Sequence, residues 1–101
     1  MAPAALDAVI HAPLRLQTCA MLAQAATINF ATVRELLGVS ESVLSKHIKV
    51  LEEAGYVAVR KAASDGRQRT WLALSPAGRK AFAAHAAALR TLVGDADLAA
   101  E

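Results

Sequence analysis

The segment from Leu36 to Val57, LLGVSESVLSKHIKVLEEAGYV, constrains the fold more than any other part of the chain, because it contains both the start and the stop of a helix. Ser40 is suited to the N-cap, since its hydroxyl can accept a hydrogen bond from a backbone N–H one turn into the helix. Gly55 lies where a helix ends in a left-handed residue. Gly38 ends the helix before it, and so short a gap between two helices is typical of a helix-turn-helix.

The helix between Ser40 and Gly55 has two chemically different faces. Leu44, Ile48 and Leu51 form a narrow apolar stripe that predicts contact with a core. The other face carries hydroxyls and cations, which suit the base edges and phosphates of a DNA major groove. A merely solvated helix face would have a similar composition. The residues of this polar face are Ser42, Ser45, Lys46 and Lys49.

Helices are also predicted before this segment. The letters ATVRELL predict a compact helix, and Thr32 near its start is a candidate contact to a DNA phosphate. The segment from Leu6 to Ile10 predicts a short helical turn, and TINF predicts a short strand. A helix from about Pro13 to Ala25 is apolar on more than one side, which predicts burial on more than one side. We expect a partner subunit to cover its second surface, which includes Leu14.

The segment YVAVRKAASDGRQRTWLALS predicts a β-hairpin. Strand-forming residues flank Ser64-Asp65-Gly66, which has the composition of a tight turn. Cations on this hairpin could contact DNA, but edge strands also carry cations that deter aggregation. The cations are Arg60, Lys61, Arg67 and Arg69, against the single anion Asp65.

A last helix is predicted to begin at Ser75-Pro76, an N-cap followed by a proline at the first helical position. We expect it to run to about Val93 and to end at Gly94, with a frayed tail from Asp95. One side has the spacing of a seam for another helix. Because one small domain cannot cover all this apolar surface, the seam predicts a two-fold dimer. Its residues are Phe82, Ala86, Leu89 and Val93.

Composition bounds the class of protein. The 101 residues predict one domain, 1–101, and alanine supplies much of the 55% apolar fraction, so few large side chains complete the core. A net charge of +2 is compatible with a nucleic-acid partner. Cys19 is the single cysteine, which excludes an internal disulfide; we expect it to be buried and inert in a reducing cytoplasm. The chain has no secretion signal and no apolar run of membrane-spanning length.

The sequence contains no evident catalytic set. A serine, histidine and acid arrangement, a phosphate-binding loop and metal-ligand spacing are all missing. His11, His47 and His85 are scattered along the chain. His47 would be the catalytic candidate, but its position beside Ile48 is more typical of a packing histidine. We therefore predict no enzyme activity, no cofactor and no metal.

The predicted elements come in the order helix, helix-turn-helix, basic hairpin and closing helix. With this order and its sequence motifs, the chain resembles the small single-domain winged-helix regulators related to the MarR and ArsR groups. The resemblance rests on IHAPLRLQTCAML, VRELLGVSESVLSKHIKVLEEAGYV and DGRQRTWLALSPAGRKAF. It implies an α+β, mostly helical fold. Its parts would be a helix-turn-helix at about 31–55, a two-stranded wing at about 56–74 and a C-terminal dimerisation helix at about 76–93.

The resemblance also implies a function. It implies a homodimeric transcription factor, usually a repressor, that binds double-stranded DNA; two-fold symmetry predicts an inverted repeat as the operator. The four polar residues from Ser42 to Lys49 match the recognition helix, and Arg67 and Arg69 match a wing that reaches the minor groove or flanking backbone. Metal-sensing members use paired cysteines or grouped histidines and carboxylates, from which this sequence departs. The alternative function is a winged helix used as a protein-interaction or assembly module, and the sequence identifies no small-molecule effector.

Overall fold

The computed structural model describes the backbone of residues 5–100 and the side chains of residues 5–94. In this range the sheet is antiparallel, with the strand order β1-β3-β2. The fold is α+β and mostly helical, with β2 and β3 forming a wing, as predicted. The elements in chain order are α1 (Ala8–His11), α2 (Pro13–Leu22), β1 (Ile28–Asn29), α3 (Phe30–Leu37), α4 (Glu41–Glu53), β2 (Val57–Ser64), β3 (Arg67–Leu74) and α5 (Pro76–Ala100).

The boundaries of α4 lie where the sequence predicts them. The Ser40 hydroxyl accepts a hydrogen bond from the backbone N–H of Val43 at 3.2 Å. At the other end Gly55 has a φ of 80°. The backbone N–H of Tyr56 then donates to the carbonyl oxygen of Leu51 at 2.9 Å, which closes the helix in a Schellman arrangement. These local hydrogen bonds fix both the length of α4 and the direction in which the chain leaves it.

The wing is closed by a two-residue turn. Asp65 and Gly66 have φ values of 54° and 75°, which is the backbone of a turn whose twist matches that of the flanking strands. Ser64 pairs with Arg67 directly beside the turn. The predicted short strand before α3 is present as β1. Its Ile28 pairs with Leu72 of β3, the central strand. The sheet therefore has a third, very short strand beside the wing.

The core lies between the sheet and the helices α1 to α4. Within α2, Cys19 and Leu22 are fully buried, and Leu14 is half-buried. This helix contacts α1, α3, α4, β3 and α5 of its own chain. Packing within one chain thus covers several sides of α2, so the apolar character of α2 alone does not call for a partner subunit. The buried core side chains are Ile10, Cys19, Leu22, Val33, Leu44, Ile48, Leu51, Val57, Leu72 and Leu74.

Two predicted helix ends are wrong. The helix α2 ends at Leu22 rather than at about Ala25, and the Arg79 guanidinium donates to the carbonyl oxygens of Ala23 and Ala25 at 3.3 and 3.0 Å. Arg79 of α5 therefore satisfies two carbonyl oxygens just beyond the end of α2, which have no partner within that helix.

The helix α5 does not end at Gly94 but continues to Ala100, so the segment after Gly94 is helical along its described backbone. Gly94 lacks a left-handed φ, and one glycine costs only about 1 kcal/mol in a helix otherwise rich in alanine. The predicted start is right, since the Ser75 hydroxyl accepts a hydrogen bond from the N–H of Gly78 at 3.0 Å. Although α5 is long, neither it nor another helix of residues 5–100 is apolar enough over a sufficient length to cross a membrane.

Candidate nucleic-acid interface

The polar face of α4 is exposed along its length. Leu44, Ile48 and Leu51 are buried on the opposite side. Because residues three and four apart share a helix face, the side chains that the sequence predicts for DNA contact lie together on the outer surface. The hydroxyls of Ser40 and Ser42 lie 3.3 Å apart at its N-terminal end. The exposed residues of this face are Ser42, Ser45, Lys46 and Lys49.

A groove of about 380 Å³ separates α4 from the wing. Its apolar surface comes from α3, α4 and β2, and its polar surface combines two hydroxyls, two lysines and two carboxylates. The groove places one cation of α4, Lys49, opposite one cation of the wing, Lys61. We call it the α4–wing groove; it is lined by Phe30, Glu41, Ser45, Ile48, Lys49, Glu52, Val59, Lys61 and Thr70.

Thr70 is a candidate site residue that the sequence prediction missed, and Lys61 was named there among the wing cations without being assigned to the site. They pair directly across the hairpin, and the pair Val59 and Leu72 lies on the same face of the sheet. Since alternate residues of a strand share a face, Lys61 and Thr70 point to the side of the sheet that packs on α4. The alternation of Val57, Val59 and Lys61 along β2 was the sequence signal that could have separated Lys61 from the other cations.

Arg67 and Arg69 belong to the other face of the wing. Arg69 pairs with Ala62, and Arg60 pairs with Trp71 on the same face. A depression of about 220 Å³ lies between the start of β3 and the start of α3, and it is lined by Asn29, Phe30, Ala31, Arg67, Gln68, Arg69 and Thr70. Thr32 is exposed on the first turn of α3 but lines neither this depression nor the α4–wing groove.

The predicted dimerisation residues lie away from these surfaces and differ in burial. Phe82 packs against the core of its own chain. Leu14, Ala86 and Leu89 are half-buried. Val93 is 51% exposed, and its neighbour Leu92, which the sequence prediction did not include, is 67% exposed.

Neither Cys19 nor His47 has the environment of a reactive group. Burial and the nearby Asp7 carboxylate raise the pKa of the Cys19 thiol to about 11, so the thiol stays protonated, as expected of a buried cysteine. Nδ1 of the half-buried His47 lies 3.1 Å from the guanidinium of Arg15. Burial and the charge of Arg15 lower the pKa of His47. His47 thus links α4 to α2, as a packing histidine does.

An exposed recognition helix beside a basic hairpin, on a helix-turn-helix core, defines a winged-helix DNA-binding regulator. The chain belongs to the winged helix DNA-binding domain family, whose model matches residues 14–93. The predicted class, a winged-helix DNA-binding protein, is therefore confirmed.

The chain is similar to known proteins in sequence and in fold. An uncharacterized protein of Methanocaldococcus jannaschii is 30% identical over 74 residues, which are 73% of this chain and 80% of the relative. Among solved structures, a transcriptional regulator homologue from Pyrococcus horikoshii superposes with a TM-score of 0.82 at 25% identity and covers 88% of each chain. A MarR-family transcriptional regulator from Enterococcus faecalis shares the fold, with a TM-score of 0.78 at 22% identity over 91% of this chain and 83% of its own.

Proposed function

We propose that this protein is a transcriptional repressor of the cytoplasm that binds an inverted repeat in double-stranded DNA as a homodimer. The observation that carries the proposal is the exposed face of hydroxyls and lysines on α4. This face adjoins the α4–wing groove, to which the wing contributes a further lysine, Lys61. A repressor needs only to occupy its operator, and the chain offers surfaces for DNA and for a second copy of itself.

The helix α4 has the size and surface to enter a major groove. Its 13 residues form a rod about 20 Å long, and a major groove admits a single α-helix. Ser42, Ser45 and Lys46 would face base edges, where hydroxyls and an ammonium group can donate hydrogen bonds. Glu41 lies in the first turn of α4, where the helix dipole favours a carboxylate.

The α4–wing groove would receive the sugar–phosphate strand that runs between the major and the minor groove. If α4 occupies the major groove and the wing the neighbouring minor groove, the intervening strand passes between the two elements. Lys49 and Lys61 would hold its phosphates, and the hydroxyl of Thr70 could donate to them. The carboxylates of Glu41 and Glu52 line the same groove and repel phosphate, so the two lysines would set the path of the strand.

Arg67 and Arg69 would extend the contact beyond this strand. They are placed at the tip of the wing, next to the first turn of α3, where Thr32 is exposed. Arginines at a wing tip can enter a narrow minor groove or bind the flanking backbone, so they are expected to add affinity with little base discrimination.

The homodimer is proposed from the course of α5. The face that packs on the core through Phe82, His85 and Ala88 continues along the helix into Leu92 and Val93, where the chain no longer covers it. A second copy would bury these side chains by two-fold symmetry. Two recognition helices about 34–36 Å apart would then read successive half-sites on one side of the duplex.

Replacing lysines on α4 tests the proposal. An operator is first selected from random duplexes with the wild-type protein, and binding is then measured for Lys46→Ala and Lys49→Ala. We expect each variant to lose affinity by about tenfold without loss of thermal stability, because neither side chain is part of the core. If the lysine contacts a phosphate, its loss should also reduce the salt dependence of binding by about one counterion.

Lys80→Ala is the matched control, because it removes the same charge from an exposed position on α5. Its affinity should stay close to that of the wild type. If the α4 variants bind as the control does, or if selection returns no preferred duplex, α4 does not read DNA and the chain is better explained as a protein-interaction module.

A further inference from the structure

A polar cluster around one buried histidine joins the N-terminal segment to α5 and to the turn after α4. His85 on α5 is 1% exposed, and its Nδ1 accepts a hydrogen bond from the backbone N–H of Asp7 at 2.9 Å. The Asp7 carboxylate in turn accepts a hydrogen bond from the Tyr56 hydroxyl at 2.7 Å and one from the N–H of Val9 at 2.9 Å. We call Asp7, His11, Tyr56 and His85 the Asp7 junction.

The contacts of His85 determine its tautomer. Because Nδ1 accepts a hydrogen bond, the neutral ring carries its proton on Nε2. This nitrogen lies 3.4 Å from Nδ1 of His11, and the two rings meet edge to face with centroids 5.3 Å apart. A second proton on His85 would have to enter at Nδ1, where it would displace the hydrogen bond from Asp7. Protonation of His85 and its hydrogen bond from the Asp7 N–H are therefore mutually exclusive.

The groups of the junction have opposing effects on this protonation. Burial and His11 lower the pKa of His85, and the Asp7 carboxylate raises it, with a net lowering. Burial would raise the pKa of Asp7, but hydrogen bonds from Tyr56 and from two backbone N–H groups bring it below its ordinary value. The hydrogen bond to Asp7, burial and the charge of Asp7 raise the pKa of Tyr56, so its hydroxyl remains a donor. Asp7 and Tyr56 thus keep their charge states while His85 titrates.

The other elements packed on α5 add few charges near His85. On α2, Cys19 is protonated and buried, and the Arg15 side chain donates to the backbone carbonyl of Val9. On β3 the ionisable residues, Arg67 and Arg69, lie at the wing turn, at the end of the strand remote from α5. His85 is consequently the buried group of this region whose ordinary pKa, 6.5, lies nearest neutral pH and whose protonation breaks a contact between elements.

The junction also holds the end of the recognition helix. Tyr56 directly follows the turn that ends α4, and its carbonyl oxygen accepts a hydrogen bond from the N–H of Ser75 at 2.9 Å. The Ser75 hydroxyl donates to the carbonyl oxygen of Gly55 at 2.6 Å. Tyr56 thus lies between α4 and β2 and is hydrogen-bonded to the residue before α5. A change at Asp7 would therefore act on the residue that connects these three elements.

We propose that the Asp7 junction is a proton-controlled link: when His85 takes up a proton, the N-terminal segment separates from α5, the angle between α4 and α5 loosens, and the dimer no longer presents both recognition helices to one operator. This regulation rests on the proposed function. DNA binding would be strong at neutral and alkaline pH and weak in mild acid.

The direction follows from proton linkage. A folded-state pKa below the ordinary value means that the open form binds the proton more tightly than the closed form. The stabilisation from the closed junction is thus complete above the ordinary pKa of 6.5 and is lost as the pH falls through the folded-state pKa of His85.

The test compares the pH dependence of operator binding in the wild type and in His85→Asn between about pH 8 and pH 5.5. The asparagine oxygen can occupy the position of Nδ1 and accept from Asp7, but it does not titrate in this range. We expect wild-type affinity to fall at least about tenfold across the range and the variant to lose less than about a third as much. His47→Gln, which removes a different half-buried histidine, is the control and should keep the wild-type fall.

A measurement on the free protein separates this inference from the proposed function. In NMR spectra the Asp7 amide resonance should shift with the same midpoint as the His85 ring, whether or not DNA binds. Weak binding at every pH, with this shared midpoint present, would contradict the proposed function and leave the link intact. An Asp7 resonance that does not follow His85, or an unchanged pH dependence in His85→Asn, would overturn the link.

Tyr56→Phe covers the case in which His85→Asn does not fold, because it cuts the same connection on the surface of the cluster. Its affinity should already be reduced by several-fold at about pH 8, where the wild-type junction is closed. Wild-type affinity in a folded Tyr56→Phe protein would show that the junction does not control α4.

Discussion

The two halves of α5 carry similar residues but have different surroundings. In the first half Gly78, His85 and Ala88 are buried against the rest of the chain. In the second half Leu92 and Val93 continue the same apolar face, yet 67% and 51% of their surfaces are exposed. The periodicity of a helix shows which face is apolar, but the extent of the core determines where the chain itself stops covering that face.

The difference separates two roles along one helix. Substitutions in the first half should change the stability of the folded chain, whereas substitutions in the second half should change its assembly. Three variants of α5 test this division, in order of expected effect.

Leu92→Glu should have the largest effect: it should prevent dimer assembly without unfolding the chain. The side chain is exposed in one chain, so a charge there leaves the core untouched but would lie unpaired in the proposed dimer interface. We expect a folded monomer by light scattering, with operator affinity reduced by at least about a hundredfold, or about 2.8 kcal/mol. Thr91→Glu places the same charge on an exposed neighbouring position and should remain dimeric. A dimeric Leu92→Glu protein with full affinity would mean that the interface lies elsewhere.

Gly78→Ala should destabilise the folded chain itself. A Cβ at this position would lie 2.0 Å from the carbonyl oxygen of Tyr56, which is backbone and cannot move without displacing the turn after α4. We expect a loss of about 2 kcal/mol in the free energy of unfolding, measured by urea denaturation. An unchanged midpoint would show that α5 can move away from Tyr56 at little cost.

Gly94→Ala is the counterpart in the second half and should have the smallest effect, of opposite sign. Among the described residues, a Cβ at Gly94 would meet no atom within 4 Å outside its own turn of helix, and the backbone there is helical. Alanine should therefore raise the helix content seen by circular dichroism and stabilise the chain by up to about 1 kcal/mol. We expect a close backbone contact at Gly78 and none at Gly94. Destabilisation by Gly94→Ala would show that Gly94 has such a contact too.

Local signals predicted most of the fold. Ser40, Gly55 and the Asp65-Gly66 turn each act within a few residues of their own position, so the sequence alone sufficed to locate them. The same kind of signal failed at Gly94, because a glycine stops a helix only where the following chain is better placed outside it. It also failed at the end of α2, where Arg79, from a distant part of the chain, binds the carbonyl oxygens of the two alanines that follow the helix.

The candidate site, like the fold, was predictable only where a local pattern places the residue. Helical periodicity was enough to place Lys46 and Lys49 on one exposed face, and their role in binding DNA stays a prediction. Lys61 was grouped with the other cations of the wing, although its alternation with Val57 and Val59 along β2 indicates the face that packs on α4. The Asp7 junction could not be predicted, because Asp7 and His85 are separated by 78 positions.

Because α2 is covered by elements of its own chain, operator binding would depend on the concentration of the protein. A chain whose core closes without help can exist as a folded single copy, and a partner held chiefly through the end of α5 would dissociate on dilution. Occupancy of a two-fold operator would then rise with the square of the concentration of free chains, until pairing saturates. A modest change in synthesis or degradation would be converted into a sharper change in the transcription of the target gene.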